Sequence, residues 1–325
     1  MLTIYYSSSY WDIKRIWLTK SLKFSKLYYL VQYFYYSRNI PMPNNMVNNG
    51  PQKVVNNYLK IFRKDKNVSF NDFKYNNSYI IQFDEFGETV LNKVISKNLN
   101  SNILIGPLFD IKGLQKLLTY KSKIPNLKIV VASESAKNNL ITKYEEIGVE
   151  DILVLPVGIF NYKNRSKISR AKSFDCLIYF KKRTKEELEI IKNLLTDKKI
   201  NYKIFDYGNY KNEDLTKAAS TSTFGIILDK TESQGIAIQE ILGLNLPLLV
   251  CDYKEINFDG ENFQGTSVPY WSDECGVKIN DLKDLETALD ELIENIESFS
   301  PENFIKQNLS FDICKNNLIE YMNTN

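Results

Sequence analysis

The stretch Thr231-Glu232-Ser233-Gln234-Gly235-Ile236-Ala237-Ile238-Gln239-Glu240 places two carboxylates eight positions apart around a glycine that opens an apolar helical pattern. Upstream, Phe224-Gly225-Ile226-Ile227-Leu228 is a continuous apolar run of the length that fills a buried strand. Downstream, the pattern passes through Ile241-Leu242-Gly243-Leu244-Asn245 into a second such run, Pro247-Leu248-Leu249-Val250-Cys251-Asp252. Strand, loop, helix and strand in that order form a parallel crossover unit, and such units take ligands at the carboxyl edge of the sheet. The segment therefore points to an α/β fold and to the edge where a ligand belongs.

The same alternation extends in both directions. In the second half it predicts strands at Asp175 to Phe180, Tyr202 to Asp206, Phe224 to Leu228 and Leu246 to Cys251, with helices at Thr184 to Leu195, Asn212 to Ala219 and Gly235 to Leu242. In the first half it predicts strands at Leu27 to Phe34, Tyr79 to Phe83, Asn102 to Ile105, Lys128 to Ala132 and Asp151 to Leu155, which would complete a first sheet, with helices such as Pro51 to Phe62 and Ser135 to Tyr144. Trp11, Ile13, Ile16 and Trp17 have helical spacing, so Met1 to Lys26 reads as an amphipathic packing helix. The Asn- and Pro-rich Tyr35 to Asn49 reads as a surface or active-site loop rather than core. Between the halves, Asn161 to Arg170 is polar, basic and aperiodic and suits a solvated linker. The expected organisation is two Rossmann-like domains, 1–162 and 163–325. Leu282, Leu285, Leu289, Leu292 and Ile296 form a helical stripe, and a last helix near Phe311 to Met322 could pack back on the first domain.

Composition narrows the chemistry. The 325 residues are 43% hydrophobic and 25% charged, and 42 basic against 39 acidic residues leave a net charge of +3, too even to imply a nucleic-acid partner. Histidine is absent, which removes imidazole bases, Ser-His and Cys-His nucleophile systems and most zinc sites. Cys176, Cys251, Cys275 and Cys314 are widely spaced and read as reduced thiols. No apolar tract is long enough to span a bilayer, so a cytoplasmic location is expected, with peripheral membrane contact left open.

Three segments could carry chemistry. Amides at the start of the helix after Gly235 can hold a phosphate oxygen, and Glu232 and Glu240 on either side can accept hydrogen bonds from sugar hydroxyls; the bland alternative is a helix-start acid and an exposed helix residue. At Phe180-Lys181-Lys182-Arg183-Thr184-Lys185 a buried strand ends in a cationic cluster before a helix whose Thr184 and Glu187 have capping-box spacing. Cations there oppose the helix dipole unless an anion joins them, although a solvated basic turn reads the same way. Asn48-Asn49-Gly50-Pro51 leads into a helix, as either a ligand-facing loop or an ordinary turn with Pro at the first helical position. Asp84 and Glu85 after one strand, and Gly106-Pro107 after another, are weaker cleft candidates. Neither a Gly-x-Gly-x-x-Gly nor a Walker lysine loop occurs.

Together these segments resemble the retaining nucleotide-sugar glycosyltransferases of family four, whose GT-B architecture sets two Rossmann-like domains across an interdomain cleft. The family's glutamate, seven residues, glutamate motif corresponds to Glu232 through Glu240. Its Gly-rich amino-terminal loop corresponds to Asn49-Gly50-Pro51, and its interdomain strand ending in Pro-x-Gly to Leu155-Pro156-Val157-Gly158. The resemblance implies that Glu240 binds the donor ribose, that Glu232 with the Ser233, Gln234, Gly235 and Ile236 backbone holds the transferred sugar, and that Lys181 and Arg183 neutralise the departing diphosphate. The family's basic pair is compressed here, so Lys182 or Lys185 could partner Lys181. Lacking His, the chain would leave the acceptor side to Asp84 or Glu85.

The implied function is transfer of a hexose from a nucleotide diphosphate sugar to a glycan or other hydroxyl acceptor, with no metal or other cofactor. Two alternatives stand beside it: a catalytically silent nucleotide-sugar or glycan-binding protein on the same scaffold, and a sugar-nucleotide epimerase or hydrolase.

Overall fold

In the computed structural model, residues 1–7, 31–47, 49–99, 101–109, 111–160, 175–253, 255–258 and 261–324 are described. They divide into two compact units: Met1–Ala132, Lys143–Val157 and Lys315–Asn325 form the first, and Ser133–Thr142 and Gly158–Cys314 the second. The predicted linker at 161–170 lies outside the described residues.

The first unit holds a six-stranded parallel sheet in the order β2-β1-β3-β4-β5-β6. Its strands are β1 (Leu2–Tyr5), β2 (Val68–Phe70), β3 (Asn77–Phe83), β4 (Asn102–Phe109), β5 (Leu127–Val131) and β6 (Ile152–Val154). Tyr79, Ile80, Ile81, Ile103, Leu104, Ile105, Ile129 and Val130 are buried without a break in alternation, as expected of strands covered on both faces. Helix α1 (Gly50–Phe62) brings Val54, Val55, Tyr58, Leu59 and Phe62 into that core, and the Tyr58 and Tyr79 hydroxyls meet at 3.0 Å.

Several expectations for this unit are corrected. Leu2–Tyr5 is a central strand paired with β2 and β3, not the start of a helix; the Trp11 to Lys26 part of that prediction lies outside the described residues. Its Leu-Thr-Ile-Tyr sequence is β-branched and aromatic, which suits a pleated, buried position. Residues 31–36 are helical where a strand was expected, and residues 27–30 are not described. Gln32 and Tyr36, four apart, are buried while Tyr33 and Phe34 are exposed, so burial follows the helical period. The 35–47 segment is not merely surface: Met42 and Val47 are buried, and the Asn56 side chain bonds both the N–H and the carbonyl of Met42, at 2.6 and 3.2 Å. Gly106-Pro107 lies inside β4 rather than after it, beside a register shift against β3 between Ile80 and Gln82.

The second unit holds a five-stranded parallel sheet, β13-β10-β9-β7-β8. The strands are β7 (Cys176–Phe180), β8 (Tyr202–Asp206), β9 (Phe224–Leu228), β10 (Leu248–Cys251) and β13 (Gly276–Ile279), and β11 (Glu255–Phe258) pairs with β12 (Glu261–Gln264) in a separate hairpin. Successive strand residues serve opposite faces, as the two-residue period requires. Leu177, Tyr179, Ile227, Leu248 and Val250 pack with Ala218, Ile238, Ile241 and Ile305 on one side. Cys176, Ile178, Ile226, Leu249 and Cys251 pack with Ile191, Leu195, Leu285, Leu289 and Leu292 on the other, which places the predicted leucine stripe. All four cysteines are free and buried. Among the described residues no helix is long and apolar enough to cross a membrane.

β13 was not foreseen, and one glycine explains how it joins the sheet. Gly276 pairs with Leu248 at a φ of 133°, and a Cβ there would lie 2.0 Å from the Leu248 carbonyl oxygen. Gly276→Ala combines a backbone conformation that L side chains avoid with a direct clash. It is expected to cost about 3 kcal/mol or more. A thermal melt that matches wild type would remove this account of the edge strand.

Candidate functional site

The carboxyl edge of the second sheet gathers most of the singled-out residues. β7 ends at Phe180 and delivers Lys181, whose backbone N–H continues the ladder to the Leu228 carbonyl at 2.9 Å. β8 delivers Tyr207, a residue 51% exposed whose N–H bonds the Phe180 carbonyl at 2.9 Å. β9 delivers Asp229, and the following turn delivers Glu232. Side chains distant in sequence thus meet because their strands are neighbours.

Lys181 sits at the centre of this edge. Its side chain is only 8% exposed, its ammonium donates to the Glu232 carboxylate, and Asp229 Oδ2 lies 3.7 Å away. The Nζ also stands 4.5 Å from the centroid of the Tyr207 ring. Burial works to lower the Lys181 pKa, but Glu232 and Asp229 outweigh it and hold it above the ordinary lysine value. Asp229 is fully buried; desolvation above all, then Glu232, raises its pKa to about 7 against the pull of Lys181.

Arg183 is equally buried but differently engaged. Its guanidinium grips both oxygens of Glu187 at 2.6 to 3.0 Å, donates to the Asp229 and Cys251 carbonyls at 3.2 and 2.7 Å, and lies 4.0 Å over the Tyr253 ring. Its side chain is 3% exposed. Burial works to raise the Glu187 pKa, yet bonds from Arg183, the Thr184 N–H and the Tyr253 hydroxyl bring it down to about 2. The capping box is present and opens the helix Lys185–Asp197. Arg183 therefore ties the ends of β7, β9 and β10 together. Lys182 and Lys185 are exposed, Lys182 at a φ of 55°.

The Glu232–Glu240 segment is built as a tight bend into a short helix. Gly235 has a φ of 78°, the left-handed region where glycine is favoured, and the helix Ile236–Leu242 follows it. That helix has only 7 residues, so its dipole is a smaller part of the site than the sequence suggested. Gln234 and Gln239 are buried and bond each other twice, at 2.7 and 3.0 Å, which fixes the bend from inside. Ser233 at its tip is exposed. From the outside, Asp252 accepts the Ser267 N–H and the Thr266 hydroxyl, both at 2.7 Å, and the Thr266 carbonyl receives the Glu232 N–H at 2.9 Å.

Glu240 is half-buried on that helix. The Tyr210 hydroxyl is pushed up to about 12, chiefly by burial and further by the negative charges of Glu240 and Glu232, so the fields of both glutamates reach one tyrosine. The structure thus brings together Lys181, Glu232 and Glu240 with Ser233, Gln234, Gly235 and Ile236 in one neighbourhood of the second unit. Gly50, Asp84 and Glu85 belong to the first unit. Asn49 caps α1 by accepting the Gln52 N–H at 2.9 Å, and a Cβ at Gly50 would meet nothing within 4 Å. Asp84 caps the helix Glu85–Ser96, α2 in this unit, accepting the Phe86 and Gly87 N–H groups at 3.0 and 3.1 Å. Glu85 is exposed in its first turn.

Sequence reasoning passed over Asp229, Tyr207 and Tyr210. A polar residue that directly ends a buried strand, as Asp229 does, was the available signal.

No protein-family model matches the chain, and no curated protein does. Among solved structures, the lipopolysaccharide outer core galactosyltransferase WaaB, in its apo form, is similar over 99% of this chain and 100% of its own, with a TM-score of 0.51 and 10% identity. A mutant of S. aureus TarM, solved with fondaparinux, alpha-GlcNAc-glycerol and UDP, is similar over 82% of this chain with a TM-score of 0.50 and 12% identity. The chain spans 58% of the length of that TarM chain. Two parallel-sheet Rossmann-like units with these neighbours make the fold GT-B.

Proposed function

We propose that this GT-B chain is a glycosyltransferase that moves a hexose from a nucleotide diphosphate sugar to a hydroxyl of a glycan or other acceptor, with retention and without a metal. The observation that carries the reading is the arrangement at the carboxyl edge of the second sheet, where Lys181 is held by Glu232 and Asp229 and the Gly235 bend leads from Glu232 into the helix that bears Glu240. UDP in the TarM structure and the galactosyltransferase activity in the WaaB name point the same way.

In this reading Glu240 accepts hydrogen bonds from the donor ribose, and Glu232 with the Ser233 to Ile236 backbone holds the transferred sugar. Breaking the sugar–phosphate bond leaves negative charge on the diphosphate. A lysine ammonium fixed at the rim stabilises that charge more in the transition state than in the ground state. Lys182 and Lys185, exposed beside it, add to the attraction of an incoming anion. Asp84 and Glu85 of the first unit are assigned to the acceptor side by resemblance alone.

A thermal-shift screen over nucleotide sugars tests the reading. A donor present at 100 times its Kd stabilises the fold by about 2.7 kcal/mol through mass action. Glu240→Ala removes a charge-assisted hydrogen bond worth about 1.5–3 kcal/mol, so the donor's affinity is expected to fall roughly 10- to 100-fold. A protein that no nucleotide sugar stabilises would not be a glycosyltransferase of this kind. Binding without nucleotide release in the presence of acceptors would mark the silent binding protein instead.

A further inference from the structure

Lys181 faces two carboxylates rather than one, so with both ionised the Lys181, Asp229 and Glu232 group carries a net charge of −1. That is the wrong sign for a rim that receives a diphosphate. We propose that Asp229 is a proton-holding positioning residue: its carboxyl stays protonated in the donor-binding form, leaving the Lys181 ammonium to Glu232 and the incoming diphosphate, and donor binding therefore takes up a proton. The inference rests on the glycosyltransferase reading and adds a residue to it.

The geometry supports this assignment from several sides. Asp229 has 0% exposure, so an ionised carboxylate there is cut off from bulk solvent and pays the cost of desolvation. Its Oδ1 accepts the Lys230 N–H at 2.6 Å, whereas Oδ2 has no hydrogen-bond partner among the described residues. The groups that act on it are Lys181 from the end of β7, Glu232 from the turn after β9 and the Lys230 N–H. Arg183 touches only its carbonyl and spends its charge on Glu187. The buried Tyr179 hydroxyl is neutral, its pKa raised by burial first and by Glu232 and Asp229 in part. Among the described residues, a single cation, Lys181, thus stands against these two acids. Desolvation and Glu232 place the Asp229 pKa at about 7, where a proton is exchanged near neutrality.

The test measures donor affinity against pH with UDP-glucose, GDP-mannose and ADP-glucose, whose diphosphates bear two negative charges and do not titrate in the range used. For whichever donor binds, the wild-type Kd is expected to rise about tenfold between pH 6 and pH 8, as a single proton linked to a pKa near 7 requires. Calorimetry in two buffers of different ionisation enthalpy should show about half a proton taken up at pH 7. Asp229→Asn keeps the shape and cannot ionise, so its Kd is expected to stay flat from pH 6 to pH 8 near the wild-type pH 6 value.

A wild-type protein that takes up no proton, or an Asp229→Asn variant that keeps the tenfold slope, overturns the proposal. Should the variant fail to fold, the wild-type proton count still decides. Carbon-13 NMR of the ligand-free protein separates the two readings. If no donor binds at any pH, the glycosyltransferase reading fails. An Asp229 carboxyl resonance with an ordinary aspartate midpoint then overturns the protonation claim too, and a midpoint near 7 upholds it.

Discussion

Lys181→Ala is expected to lower kcat/KM for nucleotide-sugar turnover by about 100- to 1,000-fold, the usual effect of deleting one preorganised group aimed at developing charge. The Lys181 side chain is 8% exposed, so its ammonium acts through little intervening water, and the Tyr207 ring and two carboxylates hold it in place. Removing it also removes the ammonium that lowers the Asp229 pKa, so Asp229 takes up a proton and its repulsion with Glu232 is relieved. The fold should survive with a lowered melting temperature, because Glu232 loses its partner, and the loss of rate and donor affinity in the folded protein should far exceed that destabilisation. Initial rates of nucleotide release, taken beside a melting curve, distinguish these outcomes. A folded Lys181→Ala protein with wild-type kcat/KM would take Lys181 out of the chemistry.

The raised Asp229 pKa also sets the sign of one pH effect on stability. Asp229 has a folded-state pKa of about 7 against 3.8 for an unperturbed aspartate, so the folded chain binds this proton more tightly. The stabilisation from Asp229 is fully present below about pH 4 and is lost as pH rises through 7. Any gain from ionising other carboxylates above pH 4 runs against it.

How much of this was legible in the sequence depended on the length and purity of each apolar run. The strands Cys176–Phe180, Phe224–Leu228 and Leu248–Cys251 are continuous hydrophobic stretches covered on both faces, and their positions follow from composition alone. Leu2–Tyr5 carries only four residues of signal and is followed by tryptophans at helical spacing, so the longer pattern overrode the shorter. Residues 31–36 are rich in apolar and aromatic side chains that suit either period, and only the burial of Gln32 and Tyr36 selects the helix. Gly276–Ile279 begins with glycine and contains a lysine, which hides a strand whose place is set by backbone fit to Leu248. The β11–β12 hairpin had a usable mark, the Asp259-Gly260 dipeptide between two short runs, that was passed over.

The site divides along the same line. Spacing pointed to the Glu232–Glu240 segment because its bend and helix are local. The signal for Asp229, an acid that directly ends a buried strand, is weak by itself and gains its meaning when the neighbouring strand brings Lys181 against it. Spacing did not separate Lys181 from Arg183. Two basic residues two positions apart would lie on the same side of an extended chain, but the left-handed φ of 55° at Lys182 breaks that alternation, and Lys181 meets Glu232 and Asp229 while Arg183 meets Glu187.

Arg183→Ala is accordingly expected to act on stability before it acts on catalysis. The guanidinium joins Glu187 to the carbonyls of Asp229 and Cys251, and deleting it strands a carboxylate whose side chain is only 16% exposed. Breaking a buried pair from one side costs about 3–5 kcal/mol. For a unit of this size that lowers Tm by roughly 10 °C. The double variant Arg183→Ala with Glu187→Ala leaves neither charge unpaired and should recover part of the loss. pH supplies a second check. Glu187 has its pKa lowered to about 2 from 4.5, so its stabilisation is present above pH 4.5 and is lost as pH falls through 2. Without Arg183 that acid-side decline should flatten, since the largest lowering influence on Glu187 is gone. The opposite result, a wild-type melting curve with donor affinity lost, would make Arg183 a phosphate ligand whose grip on Glu187 is released when the donor arrives. The expected result leaves Lys181 as the principal cation of the rim and Arg183 as the bracket that holds the rim's strands in register.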